Sequence, residues 1–223
     1  MLITELTAPV EEGVHDPHIF KAVFMAGSPG AGKSTIANKL FGGTGLKTLN
    51  VDAFWQLYKA QGKTGNYERY WELYKVQEKN FLAGRLGLII DGTAKNPERM
   101  AQVKQALEDL GYDTAMVFVN TSLETSMNRV VNRARSAGKD LGREIDPQFV
   151  KDAWEKTQKG LGALQAMFGG SFYIVDNNRG EPNVSYVAKT MNRWLAQQPN
   201  KPAAKEWIQQ QMAAKQGVKD ADQ

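Results

Sequence analysis

Nine consecutive residues, Gly27-Ser28-Pro29-Gly30-Ala31-Gly32-Lys33-Ser34-Thr35, carry the clearest chemistry in the chain. They fit G-x-x-x-x-G-K-[ST], a pattern whose glycines let a loop curl until successive backbone N–H groups point inward at phosphate oxygens. A hydrophobic run precedes them and a helical pattern follows, so the positive end of a helix dipole adds to the cradle. Lys33 is expected to reach the β- and γ-phosphates of a nucleotide, and Ser34 to supply a hydroxyl to the Mg²⁺ that bridges them. A glycine-rich turn is the rival reading. The second glycine cluster, Gly42-Gly43-Thr44-Gly45, follows a helical pattern, lacks the Lys-Ser pair, and reads as a helix C-cap and turn.

A phosphate loop serves switches, motors and kinases alike, so other residues must separate them. No Asp is followed three residues later by Gly, and Asn38-Lys39-Leu40-Phe41 lacks the Asp that would read guanine, which excludes switch GTPases. The run Leu88-Ile89-Ile90-Asp91 continues with Gly92 rather than the Asp-Glu of many ATPase motors. A kinase remains. Such an enzyme needs a carboxylate at the end of the second strand to orient the acceptor hydroxyl and take its proton, and Asp52 in Leu49-Asn50-Val51-Asp52 stands there. The same residue also reads as the N-cap of a helix beginning Ala53-Phe54. Asp91, ending an apolar strand, is placed to hold a Mg²⁺-bound water or the acceptor, against a plain strand-end turn. Asp91-Gly92-Thr93 also resembles the D-x-D-G-T phosphatase motif, but Ile89 stands where its nucleophilic Asp belongs.

Arg129 and Arg133 fall four apart on one helix face, where like charges repel unless an anion lies between them. Between Arg129 and Arg143 five bases (Arg129, Arg133, Arg135, Lys139, Arg143) meet the single acid Asp140, an excess equal to the net charge of the whole chain, +4. So small a patch suits a phosphate better than a nucleic-acid surface. The stretch Ser136-Ala137-Gly138-Lys139-Asp140-Leu141-Gly142 is expected to form a lid that excludes water, with Arg143 stabilising the transferring phosphoryl group. A solvated basic helix end is the alternative.

The elements that must position these residues alternate between short apolar runs and longer helical patterns, the rhythm of βαβ units. Strands are predicted at 19–26, 47–51, 88–91, 114–120 and 172–176, and helices at 33–41, 53–60, 67–84, 97–110, 123–135, 147–168 and 184–197. The fold class expected is α/β, a three-layer P-loop NTPase fold with a mostly parallel five-stranded sheet. Residues 1–18 form a leader, 19–198 the P-loop domain, and 199–223, beyond Pro199 and Pro202, a tail that is either a short helix or without fixed structure and is open to partner contacts. The aromatic residues Tyr67, Tyr70, Trp71 and Tyr74 follow the i, i+3, i+4, i+7 spacing of a buried helix face, although with Phe54, Trp55 and Tyr58 they also lie where an acceptor base or sugar would stack. His15 and His18 have too few companions for a metal site.

Composition sets the outer bounds. With 223 residues, 42% of them hydrophobic, the chain suits one globular domain that needs no staples. It contains no Cys, which excludes thiolate nucleophiles, zinc–thiolate sites and iron–sulfur clusters, and makes a reducing cytoplasm the expected compartment. No apolar run approaches a membrane span, and residues 1–20 carry four acids with no Lys or Arg, unlike a signal or transit peptide.

Taken together, the phosphate loop, Asn50-Val51-Asp52, Ile90-Asp91-Gly92-Thr93 followed by Asn96-Pro97-Glu98-Arg99, and Gly142-Arg143 resemble the zeta-toxin and 5′-hydroxyl polynucleotide kinase branch of P-loop kinases, including phage-encoded relatives. The resemblance covers about residues 19–178. It implies ATP and Mg²⁺ as cofactors, Asp52 as general base, Asp91 and Thr93 on the acceptor, and Arg143 on phosphates. The Asn96-Pro97 pair also arises from helix capping alone. Asp91 replaces the Glu usual in zeta toxins, no phosphatase domain of the phage polynucleotide kinases is present, and the aromatic segment does not reproduce a UDP-sugar pocket. The acceptor is therefore either a 5′-hydroxyl polynucleotide, the only role implied for nucleic acid, or a nucleotide sugar or other small molecule. A non-catalytic ATP-binding or assembly protein is the alternative from another class.

Overall fold

The computed structural model describes residues 13–62, 66–136 and 145–221; all of the expected lid beyond Ser136, and Arg143 with it, lies outside them. Five strands, β1 (Lys21–Ala26), β2 (Lys47–Leu49), β3 (Leu88–Asp91), β4 (Asp113–Asn120) and β5 (Phe172–Asp176), pair in the order β2-β3-β1-β4-β5, all parallel. Nine helices occur among the described residues: α1 (Lys33–Phe41), α2 (Val51–Ala60), α3 (Tyr67–Ala83), α4 (Pro97–Asp109), α5 (Leu123–Ser136), α6 (Pro147–Lys159), α7 (Leu161–Phe168), α8 (Ser185–Leu195) and α9 (Pro202–Ala221). None of the helices among the described residues is long and apolar enough to cross a membrane.

The central strand explains the layers. Every residue of β1 is buried, as a strand covered on both faces must be, and its side chains alternate between two cores. Ala22, Phe24 and Ala26 face Met116, Phe118, Leu164 and Phe168, with α4, α7 and α9 packed on that side. Val23 and Met25 face Ile36, Leu40, Val187 and Met191 of α1 and α8. A third apolar cluster, Phe54, Tyr70 and Leu73, joins α2 to α3.

Register then fixes what stands at the carboxyl end of the sheet. Met25 is opposite Asp91 and Leu49 opposite Ile90, so Asn50 and Asp91 end their strands beside the loop that leaves β1. Ala26 is level with Phe118, and Asn120 with Asp176.

Two helices depart from expectation. The second helix starts at Val51, because Asn50 and not Asp52 is its cap: the Asn50 side chain accepts the Asp52 N–H at 2.8 Å. The helix expected over 147–168 is two, divided at Gly160, where a Cβ would lie 3.0 Å from the Pro97 ring. At the chain's other end, α9 docks through Ala204, fully buried, and Trp207, whose ring meets Phe20 edge-on at 5.5 Å.

Candidate active site

The phosphate loop connects β1 to α1, and three neighbours set its path. Gly27, at φ 144°, passes so near β4 that a Cβ would stand 2.6 Å from the Val119 carbonyl; Gly30 and Gly32, also at positive φ, leave no room for a Cβ against the Ser126 carbonyl and the Asn177 side chain. Ser28 turns its hydroxyl into the protein, 2.8 Å from that of Ser126, which lies 2.7 Å from the Thr121 hydroxyl. These contacts hold the loop in shape while leaving its inner face to a ligand.

The helix that follows is left without a side-chain cap. Asn50, Asn66, Asn96 and Asp146 each satisfy an N–H at the start of α2, α3, α4 and α6, whereas α1 begins at Gly32 with no such bond. Its first N–H groups and its dipole end are therefore offered to an anion. Lys33 lies in the same place. Its ammonium donates to the carbonyls of Gly27 at 2.9 Å and Ser28 at 3.2 Å. Burial pulls its pKa below the ordinary lysine value, and Arg133 pushes the same way while Asp91 and Asp52 oppose. Ser34 and Thr35 are exposed on the first turn of α1.

Two carboxylates converge on that lysine. Asp91 accepts a hydrogen bond from the Asn50 amide at 2.9 Å through Oδ2, while its Oδ1 is buried without a hydrogen-bond partner among the described residues. Burial raises its pKa above the ordinary carboxylate value, Lys33 opposes the rise, and the negative charge of Asp52 adds to it. Asp52, relieved of capping by Asn50, sits half-buried in the first turn of α2. Thr93 lies in the loop beyond Asp91, where its carbonyl accepts the Thr157 hydroxyl at 3.1 Å and so fixes the loop to α6.

Arg129 and Arg133 lie one turn apart on α5, and the first of them reaches the phosphate loop. Arg129 is 3.4 Å from the Ala31 carbonyl, and Arg133 stands close enough to Lys33 to act on its charge. Arg143 lies outside the described residues. A cleft of about 680 Å³ opens between the start of α5 and the segment after β5, lined by Ser122, Glu124, Asn128, Asp176, Asn178 and Arg179 among others, with no residue of the phosphate loop in its lining; Asn177, which bonds the loop, lies between two of its residues. The aromatic residues divide: Tyr70 is buried, Trp71 and Tyr74 are half-buried, and Tyr67 is 53% exposed.

Sequence reasoning missed two residues of this site. Asn50 ties the two carboxylate-bearing segments together, and Asn177 donates to the Ala31 carbonyl at 2.7 Å. Their shared signal is position, since each follows a strand at the carboxyl end of a parallel sheet, where such folds gather function.

Among the described residues no three His, Asp or Glu are grouped to hold a metal unaided. The partnerless Oδ1 of Asp91 near Lys33 and the exposed hydroxyl of Ser34 instead fit a cation that arrives with nucleotide phosphates.

Comparison with known proteins gives the same architecture. The model of the AAA_33 family, an AAA domain, matches residues 23–150. In three dimensions the protein is similar to a chain of the AvrRxo1-ORF1:-ORF2 complex solved with ATP, at 14% identity and a TM-score of 0.61, over 81% of this chain and 62% of that one. It is similar to a candidate kinase from Chloroflexus aurantiacus, at 16% identity and a TM-score of 0.56, over 80% of this chain and 98% of that one. It is also similar to a chain of the Pnkp1/Rnl/Hen1 RNA repair complex, at 20% identity and a TM-score of 0.52, over 67% and 47%. At such identities the likeness is one of fold, and the chain spans 62% of the AvrRxo1 chain that it matches. A comparison with curated proteins gave no significant match.

Proposed function

Since the chain belongs to the AAA_33 family and has a P-loop kinase-like fold, we propose that it is an ATP-dependent phosphotransferase that moves the γ-phosphoryl group to an acceptor hydroxyl. The observation that carries this reading is the meeting of Lys33 with Asp91 and Asp52 in front of an uncapped helix. A polyphosphate fits the lysine and the helix end, and a hydroxyl fits the carboxylates.

The roles follow from position. Backbone N–H groups of the loop from Gly27 to Thr35, all but Pro29, which has none, hold the phosphates together with the Lys33 ammonium, and Ser34 and Asp91 would hold Mg²⁺, which when bound neutralises phosphate charge. Asp52 accepts the proton of the acceptor hydroxyl as its oxygen bonds to the γ-phosphorus. The bond from that phosphorus to the β–γ bridging oxygen breaks, and ADP leaves. Arg129 and Arg133, with Arg143, balance charge on the phosphoryl group in transit. Asp91 and the Thr93 loop line the acceptor side, and the cleft between Ser122 and Arg179 receives the nucleoside. That a similar chain was solved with ATP supports the donor. A similar chain in an RNA repair complex favours testing a polynucleotide acceptor first, and the complexes formed by both neighbours keep a protein partner in view.

Transfer of labelled γ-phosphate from ATP with Mg²⁺ tests this reading on 5′-hydroxyl RNA and DNA, UDP-linked amino sugars and nucleosides. Label on one acceptor class, lost in Asp52→Asn with ATP affinity nearly unchanged, is the expected result. A fall of about 10²- to 10⁴-fold matches loss of a general base. Tight ATP binding without label on any acceptor would favour a non-catalytic nucleotide-binding protein. Activity on a polynucleotide should fall steeply with salt, whereas a small acceptor gives a shallow dependence.

A further inference from the structure

Asn177 lies just past the end of β5, 6% exposed, and 146 positions from the loop that it touches. Its side-chain N–H donates to the Ala31 carbonyl at 2.7 Å, and Arg129 approaches the same oxygen at 3.4 Å. Its own backbone is fixed, since its N–H donates to the Asn120 carbonyl at 2.9 Å. The next residue, Asn178, accepts the Ser122 N–H through Oδ1 at 2.6 Å. The amide is thus a rigid arm reaching from the sheet to one peptide unit of the loop.

In a trans peptide the C=O and the following N–H point in opposite directions. The Ala31 carbonyl is held on the outer side of the loop, toward β5, so the N–H of Gly32 faces the inner side. Gly32 adopts φ 89°, open to glycine, and a Cβ there would strike the Asn177 amide, so side chain and loop are fitted at close range. A free peptide unit next to a glycine would rotate readily, and each rotation would withdraw one donor from the cradle.

We propose that Asn177 is a positioning residue for the phosphate loop: by fixing the Ala31 carbonyl outward it keeps the Gly32 N–H aimed at a bound phosphate. This rests on the nucleotide-binding reading above and extends it to a residue that follows the edge strand β5, at the same end of the sheet as the loop. Because Asp176 and Asn178 line the cleft assigned to the nucleoside, the same three residues join the two halves of a nucleotide site.

The test uses the full chain and two probes, ATP with Mg²⁺ and inorganic tripolyphosphate with Mg²⁺, with affinities measured by calorimetry well below the melting temperature. Asn177→Ala removes the donor, and Asn177→Asp keeps the shape but sets a carboxylate against the Ala31 carbonyl. Both variants should bind both probes about tenfold more weakly, as expected for loss of one buried hydrogen bond, with Asn177→Asp at least as weak as Asn177→Ala. The amide resonance of Gly32, followed by ¹⁵N NMR, should shift on tripolyphosphate binding in wild type and lose most of that shift in both variants. A role in packing alone would spare the isosteric Asn177→Asp. Wild-type affinity and an intact Gly32 shift in that variant overturn the proposal while leaving the nucleotide reading in place. Failure of the wild type to bind either probe overturns the two together.

Discussion

The two ends of the sheet each bring a lysine among carboxylates, buried at one end and half-buried at the other, and they differ in how completely those charges are matched. At the amino end Lys21, 1% exposed, donates to Asp113 at 2.7 Å and lies 5.0 Å from the Trp194 ring. Lys201 approaches Asp113 and Glu108, and Lys104 bonds Glu108 at 2.8 Å, so charge answers charge throughout. Desolvation opposes the Glu108 charge, but hydrogen bonds from Lys104 and Thr114 together with the positive charges of Lys104 and Lys201 outweigh it and lower the Glu108 pKa. At the carboxyl end Lys33 rests on two carbonyls, one oxygen of Asp91 has no partner among the described residues, and burial disfavours both charges. A cluster complete within the fold stabilises it; an incomplete one holds charges that a ligand completes.

That contrast breaks most sharply under lysine replacement. Lys33→Met should reduce phosphoryl transfer by about a thousandfold or more without lowering the melting temperature, as measured by labelled-phosphate transfer and calorimetry. Lys21→Met should do the reverse, costing about 3 kcal/mol in urea unfolding while the folded fraction keeps its transfer rate. The low end of the range applies because Asp113 is 23% exposed and retains Lys201.

Asp91→Asn sharpens the comparison from the acid side. The folded state holds the Asp91 proton more tightly than the unfolded chain does, so this group favours folding at low pH and that contribution is lost as pH rises past the ordinary carboxylate range. The variant should therefore melt slightly higher than wild type at neutral pH, with the difference closing as pH falls, while its affinity for Mg²⁺-ATP drops. Equal melting temperatures at all pH values would show that the Asp91 charge is satisfied. The smallest effect concerns Lys33. Polyphosphate favours its charged form, so ATP binding should take up less than one proton per site, rising toward the ordinary lysine range and absent in Lys33→Met; calorimetry in buffers of different ionisation enthalpy measures it.

Much of this site was legible in the residues because its logic is local. The loop motif, the strand before it and the helix after it are one contiguous stretch, and all five strands fall within a few residues of their expected positions. Asp52 and Asp91 were found because strand ends in a parallel sheet share one side. What escaped is non-local or degenerate. Asn50 and Asp52 offer the same capping chemistry two positions apart, and only the pairing of Leu49 with Ile90, which sets Asn50 beside Asp91, decides between them. Asn177 is one polar residue among several after β5, and nothing in its neighbourhood reveals that it meets Ala31. At the break between α6 and α7, Gly160 lies against Pro97, more than sixty positions earlier, where a Cβ would stand 3.0 Å from the proline ring.

The docking of α9 has a consequence for how the molecule comes to exist. Trp207 packs on Phe20, just ahead of β1, and Ala204 fits against Gly111 at the turn into β4, where a Cβ on that glycine would stand 2.7 Å from the Ala204 nitrogen. A chain emerging from the ribosome has all five strands in hand before the residue that covers Phe20 has been made. During synthesis the face of Phe20 that Trp207 covers therefore stays open until the stretch beyond Pro202 has been made, and the last step in closing this end of the core belongs to the last helix.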